Sequence, residues 1–188
     1  MAVVRTCGRL GSGKGMMGWK SVKEHYRIGH LVHVRDGNLM IGSEYVSEII
    51  SISPDGRFLK RYDRSNGDLA RYQREIEADV DAFVQLFARE DAFSRSLPVF
   101  TFHGGEIVEK ACEERGWPNV THDGSLMYGN EFFPTYGQAL EAARSYATSV
   151  IESLRSAVAE AEGRAATLRG RLETAREDLR RLDEAWGR

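Results

Sequence analysis

"IESLRSAVAEAEGRAATLRGRLETAREDLRRLDEAW", residues 151–186, decides the architecture. Apolar side chains recur at Ile151, Leu154, Val158, Ala161, Ala165, Leu168, Leu172, Ala175, Leu179, Leu182 and Trp186, in steps that alternate three and four. Between Gln138 and Trp186 there is no proline and little β-branching. This spacing draws one narrow apolar seam along a helix and is the heptad signature of a coiled coil. Gly163 and Gly170 fall on the outermost heptad position, where they weaken the helix without disturbing the seam. At about 1.5 Å per residue the helix would span roughly 70 Å, more than its own domain could cover.

The charges flanking the seam select an orientation. A parallel homodimer would oppose Arg164 to Arg169, Arg171 to Arg176 and Asp178 to Asp183 of the second copy, and all three pairs repel. Reversing one helix about a centre between Leu168 and Leu172 sets Arg155 near Asp183, Glu162 near Arg176 and Arg164 near Asp178. Leu168 then packs on Leu172, and Val158 on Leu182. Each charged pair is worth only about 0.2–0.5 kcal/mol, so their common sign matters more than their size. The expectation is an antiparallel homodimer; a helix docked on its own domain or on a different protein is the alternative.

Upstream of this helix the period changes. Residues 28–34 read as a strand, Arg35-Asp36-Gly37-Asn38 as a turn, and Leu39-Met40-Ile41 as the paired strand. Tyr45 to Ile52 is a further β-type run, turned by Ser53-Pro54-Asp55-Gly56 into residues 57–62. Together these predict an antiparallel meander. Leu69, Tyr72, Ile76, Val80, Phe83 and Phe87 then predict one amphipathic helix from about Asp68 to Glu90. A β-α-β-β unit is expected next: a strand at residues 99–102, a helix from Glu106 to Arg115, and strands at 119–121 and 126–128. The fold class is therefore α+β, with a body over residues 24–136 and the long helix over 137–188. Residues 1–23 form a Gly-rich basic arm, carrying Arg5, Arg9, Lys14, Lys20 and Lys23 and no acid.

Composition narrows the function. The 188 residues are 41% hydrophobic and 29% charged, ordinary for a soluble protein, and a net charge of −2 gives no general attraction to nucleic acid or anionic lipid. Two cysteines, Cys7 and Cys112, make neither a disulfide framework nor a thiolate metal site. No apolar run approaches the roughly 20 residues that span a bilayer, and no signal peptide is evident. A cytoplasmic protein with reduced thiols is the expectation, with no membrane partner, cofactor or metal.

Residues 8–15, "GRLGSGKG", resemble the phosphate loop of adenylate-kinase-type nucleoside monophosphate kinases. The resemblance implies that backbone N–H groups of Gly11 to Lys14 would cradle phosphates, with Lys14 neutralising them. Met16 stands where the magnesium-ligating hydroxyl belongs, and a meander is not the parallel scaffold such enzymes need. The arm reading is preferred. Alternation along the strand separates His30 from His33, so they do not share a metal. His103, His122 and Asp123 are more simply loop residues, and Cys112 a buried thiol on an apolar helical stripe. No catalytic constellation survives, and the chain reads as a non-enzyme.

The expected activity is protein binding by a coiled-coil dimer. In type, the chain resembles small acidic proteins carried by phages and mobile elements, among them anti-CRISPR inhibitors. That resemblance implies an inhibitor of a nucleic-acid-processing complex, presenting acidic surface to a basic groove. Glu75, Glu77, Asp79, Asp81, Glu113 and Glu114 are the candidate partner-binding residues. A nucleic-acid binder using the basic arm, with Trp19 and Tyr26 stacking on bases, is the first alternative; a nucleotide-binding enzyme built on the phosphate-loop-like stretch is the second.

Overall fold

Asp36 and Gly37 adopt φ of 51° and 78°, and this pair of left-handed residues makes the two-residue turn of a tight hairpin. The turn joins β1 (Leu31–Arg35) to β2 (Asn38–Gly42), whose register runs from Leu31 opposite Gly42 to Arg35 opposite Asn38. In the computed structural model, which describes residues 18–187, β3 (Ile50–Ile52) and β4 (Phe58–Lys60) extend this hairpin into a four-stranded antiparallel sheet of order β1-β2-β3-β4. The expected meander is present. The chain divides into two units, one ending at Ala139 and the other Leu140–Arg188.

One face of the sheet is the floor of the main core. Val32, Leu39, Ile41, Ile50 and Ile52 are fully buried there. Above them lie α1 (Trp19–His25), α2 (Gly67–Ala78) and α3 (Val80–Ala88), which contribute Trp19, Val22, Tyr72, Ile76, Phe83 and Phe87 to the same cluster. The reverse face carries His33, Met40 and Ser51, aligned by register across β1, β2 and β3 and also buried. Its cover includes the β2–β3 connection: Ser43 N donates to Val46 O, and the His33 ring Nε2 lies 3.1 Å from Ser47 O. Burial lowers the His33 pKa below the ordinary imidazole value, which favours the neutral ring. Gly42 makes the fold-back possible, since a Cβ there would stand 2.2 Å from Ser47 O.

Three expectations are corrected. The helix expected from Asp68 to Glu90 is two helices. Asp79 breaks it with φ −143° and ψ 69°, and its carboxylate caps α3 by accepting from Ala82 N at 3.0 Å. The break lets Ile76 and Phe83 both bury completely.

The helix expected at Glu106–Arg115 is instead β6 (Glu106–Cys112), paired along its whole length with β5 (Leu97–His103) in a separate two-stranded sheet. Gly104-Gly105 is a two-residue hairpin loop with Gly104 at φ 57°. The β-branched pair Ile107-Val108 suits that strand, and seven paired residues outweigh a helical stripe that short apolar runs mimic. The strands expected at 119–121 and 126–128 are reduced to isolated bridges, Val120 to Leu126 and Thr121 to Cys112.

The third correction concerns the arm. Residues 19–23, assigned to it, belong to α1, whose N-terminus is capped from a distance: the buried Asp91 carboxylate accepts from Lys20 N, Ser21 N and Ser21 Oγ at 2.6–2.8 Å. Residues 1–17, with Cys7 and the phosphate-loop-like stretch, lie outside the described residues.

The second unit belongs to α4 (Tyr136–Trp186), a single helix of 51 residues. A mixed α+β fold with two antiparallel sheets and a long C-terminal helix is thus what the chain forms. No helix among the described residues is long and apolar enough to cross a membrane.

Candidate functional site

The seam of α4 is laid out as its spacing dictates. Helical geometry stacks residues three and four apart on one side, so the eleven apolar positions form one line. Among the described residues its large apolar side chains stay exposed. Relative exposure runs from 49% at Ile151 through 63% at Leu168 to 94% at Trp186. Ala161 and Ala175 are exposed and Ala165 half-buried. Of the whole 51-residue helix, Ala139 alone is buried.

The polar faces of α4 are knit within the helix. Glu160 pairs with Arg164 at 3.4 Å, Glu173 with Arg176 at 2.8 Å, and Glu177 with Arg180 and Arg181 at 2.7 and 3.1 Å. These exposed pairs add a few tenths of a kcal/mol each, about 0.3–0.5, and hold the helix where packing does not. Arg155, Glu162, Asp178 and Asp183 have no side-chain partner among the described residues. Those four belong to the cross-helix pairs of the antiparallel register. Gly163 and Gly170 face open space, as their outer heptad position requires.

The six acids do not form one surface. Glu75, Glu77, Asp79 and Asp81 lie along α2 and α3, whereas Glu113 and Glu114 follow β6. Most are engaged internally. Glu75 pairs with Arg71 at 3.0 Å, Glu77 with Arg61, and Asp79 caps α3. Glu113 accepts from Lys20 Nζ at 2.8 Å on both oxygens and from the Ser94 N–H and hydroxyl at 2.7 and 2.9 Å. Asp81 and Glu114 keep their carboxylates without a partner among the described residues.

Burial raises the Glu113 pKa, but the Lys20 ammonium and the Ser94 donors outweigh it and hold the carboxyl down to about 2. Because the folded value is depressed, the stabilisation is complete above the ordinary value of 4.5 and is lost as pH falls toward 2. Glu113→Gln is therefore expected to lower the unfolding midpoint at pH 7 and to flatten its fall between about pH 4.5 and 2. Acid titrations of the midpoint for both proteins check this, and parallel curves would contradict it.

His30, His33, His122 and Cys112 are held by contacts within the fold. His122 stacks on Phe93 at 3.8 Å, its Nε2 lies 3.0 Å from Arg95 O, and its carbonyl accepts from Trp19 Nε1 at 3.1 Å. Asp123 pairs with Lys110 at 2.8 Å. His103 ends β5 at the hairpin loop, whereas His122 N bonds Ala111 O, opposite Pro98. Five residues of strand, about 17 Å, separate those levels, so the two histidines do not converge. His30 contacts the Tyr72 hydroxyl at 3.3 Å, away from the reverse-face setting of His33. Cys112 is fully buried, and burial pushes its thiol pKa up. It is a buried thiol as expected, although on a strand.

Among the described residues no cluster of three His, Cys, Asp or Glu side chains is placed to hold a metal. No protein-family model, curated protein or solved structure matches the chain.

Proposed function

We propose that this chain is a non-catalytic binding protein that works as an antiparallel coiled-coil homodimer, each end of the paired α4 helices carrying one α+β unit. The supporting observation is the unbroken 51-residue helix whose seam stays exposed from Ile151 to Trp186. A monomeric soluble chain rarely leaves such a stripe in water. A second copy covers it layer by layer. Leu168 meets Leu172, Ala165 meets Ala175, Ala161 meets Leu179, Val158 meets Leu182, and Leu154 meets Trp186. The same register brings the unpaired Arg155 to Asp183 and the unpaired Glu162 and Asp178 to Arg176 and Arg164.

The dimer supplies valency. Two binding units on one rod convert the second contact with a multivalent target into an intramolecular event. A bivalent inhibitor of a nucleic-acid-processing complex is the form of this activity that the resemblance in type suggests. Asp81 and Glu114 are the acids left free to meet such a target. The nucleic-acid alternative loses its stacking residues, since Trp19 and Tyr26 are 7% and 5% exposed.

Light scattering on the full chain tests the reading. Twice the chain mass of 21.1 kDa is expected, reverting to one copy when the chain is cut at Ser149. A single copy for the full chain at high micromolar concentration contradicts it.

A further inference from the structure

We propose that the cleft between α1 and the 113–120 segment binds a small organic molecule bearing one anionic group, with Lys23 and Arg27 holding that group. This site lies wholly in the first unit and does not depend on the pairing of α4. The cleft is open to solvent on one side and has a volume of about 480 Å³, a size that suits small molecules.

Two faces of one short stretch divide the labour. Trp19, Val22 and Tyr26 turn into the core, and one position further on Lys20, Lys23 and Arg27 line the cleft. Of these cations, Lys20 is committed to Glu113. Lys23 and Arg27 have no side-chain hydrogen bond or ion pair among the described residues. Lys23 is only partly exposed, and burial lowers its pKa with no compensating partner. A cation desolvated in this way is stabilised by an arriving anion.

Arg27 supplies the independent observation. It sits at φ 48°, in the left-handed region, where it ends α1. Ile28 N donates to Lys23 O at 2.9 Å and Arg27 N to Glu24 O at 3.2 Å, the two bonds of a Schellman cap. Glycine suits that position, and an arginine there is strained. Among the described residues the exposed guanidinium makes no hydrogen bond or ion pair that repays the strain. Its backbone carbonyl does accept from Arg71, but any residue would supply that acceptor. Strained residues retained beside a cleft are typical of binding sites.

The lining sets the ligand class. Leu31, Pro118 and Val120 give apolar walls. Glu24, Glu113 and Glu114 balance the three cations, so the cleft offers no net positive charge to draw in polyphosphate or nucleic acid. One carboxylate or phosphomonoester on an apolar body fits this balance.

Calorimetric titration of the full chain with benzoate, phenyl phosphate and inorganic phosphate at fixed ionic strength tests the site. Saturable binding of benzoate or phenyl phosphate, one per chain, is expected, the tighter of the two identifying the anion. Inorganic phosphate should bind at least tenfold more weakly. Lys23→Gln should weaken binding at least tenfold. Arg27→Gly should weaken it as much while raising the thermal unfolding midpoint, because glycine relieves the strain. The proposal is overturned if neither organic probe saturates, if inorganic phosphate binds as well, or if either variant binds like the parent. A lowered midpoint for Arg27→Gly also overturns it, by making the arginine a residue of the fold.

Discussion

The double substitution Leu168→Glu with Leu172→Glu is expected to leave the protein as a single copy at micromolar concentration. In the antiparallel register these two leucines face each other twice, once on each side of the centre. The change therefore sets four carboxylates into two adjacent apolar layers. Burying one leucine contributes about 1.5–3 kcal/mol, so four lost burials remove about 6–12 kcal/mol before any repulsion is counted. At about 1.4 kcal/mol per tenfold, dissociation should become at least ten-thousandfold easier. Circular dichroism should fall as well, because a helix without tertiary cover draws only on propensity and a few surface pairs. Ser156→Glu, on the outer heptad position, should keep the dimer. Light scattering of the three proteins distinguishes these outcomes, and a two-copy mass for the double variant would show that the seam is not the interface.

The second large effect is expected from Phe83→Ala. Phe83 is fully buried and stacks on Phe87 with centroids 5.6 Å apart. It also lies under the Ser53–Gly56 turn, within 3.7 Å of where a Gly56 Cβ would be. Truncating a phenylalanine in such a place removes its transfer energy and leaves a cavity, together about 3–5 kcal/mol. That is a large share of the roughly 5–15 kcal/mol that holds an ordinary domain together. Urea unfolding should show the midpoint falling accordingly, with Phe83→Leu falling far less. A loss below about 1 kcal/mol for the alanine variant would contradict the burial of Phe83 in the main core.

Which features were legible in the amino-acid order follows from the range of the forces involved. The β1–β2 hairpin was legible because its turn needs positive φ at two residues and Asp36-Gly37 supplies it locally. The long helix was legible because eleven apolar positions in register leave no rival period. Glu106–Cys112 was not, because Ile107, Val108, Ala111 and Cys112 satisfy a helical stripe and a strand equally; pairing with β5 settles it. Helix α1 was hidden by the glycines before it, although Trp19, Val22 and Tyr26 carry the spacing. Its cap was beyond any local reading, since Asp91 lies 70 residues from the Ser21 N–H it accepts. Asp79 falls inside the single helix the periodicity predicts, whereas its carboxylate starts α3.

The candidate sites divide in the same way. The seam is a one-dimensional pattern and could be written down residue by residue. The acids could be named, but not their partners: Arg61, Arg71 and Lys20 come from other turns or other elements and neutralise three of the six. Lys23 had been counted as part of a basic arm. Only its helix, set against residues 113–120, makes it a wall of a cleft.

A single spin label at Ser149→Cys, in a chain with Cys7→Ser, measures the pairing of α4 most directly. Residue 149 lies 21 residues from the centre of the antiparallel register, so two labels should stand about 60 Å apart along the rod at 1.5 Å per residue. Dipolar spectroscopy should return that distance. A separation near 20–25 Å, about two helix diameters, would mean parallel helices. The absence of any intermolecular coupling would mean that no second copy covers the seam, and the dimeric account would fall.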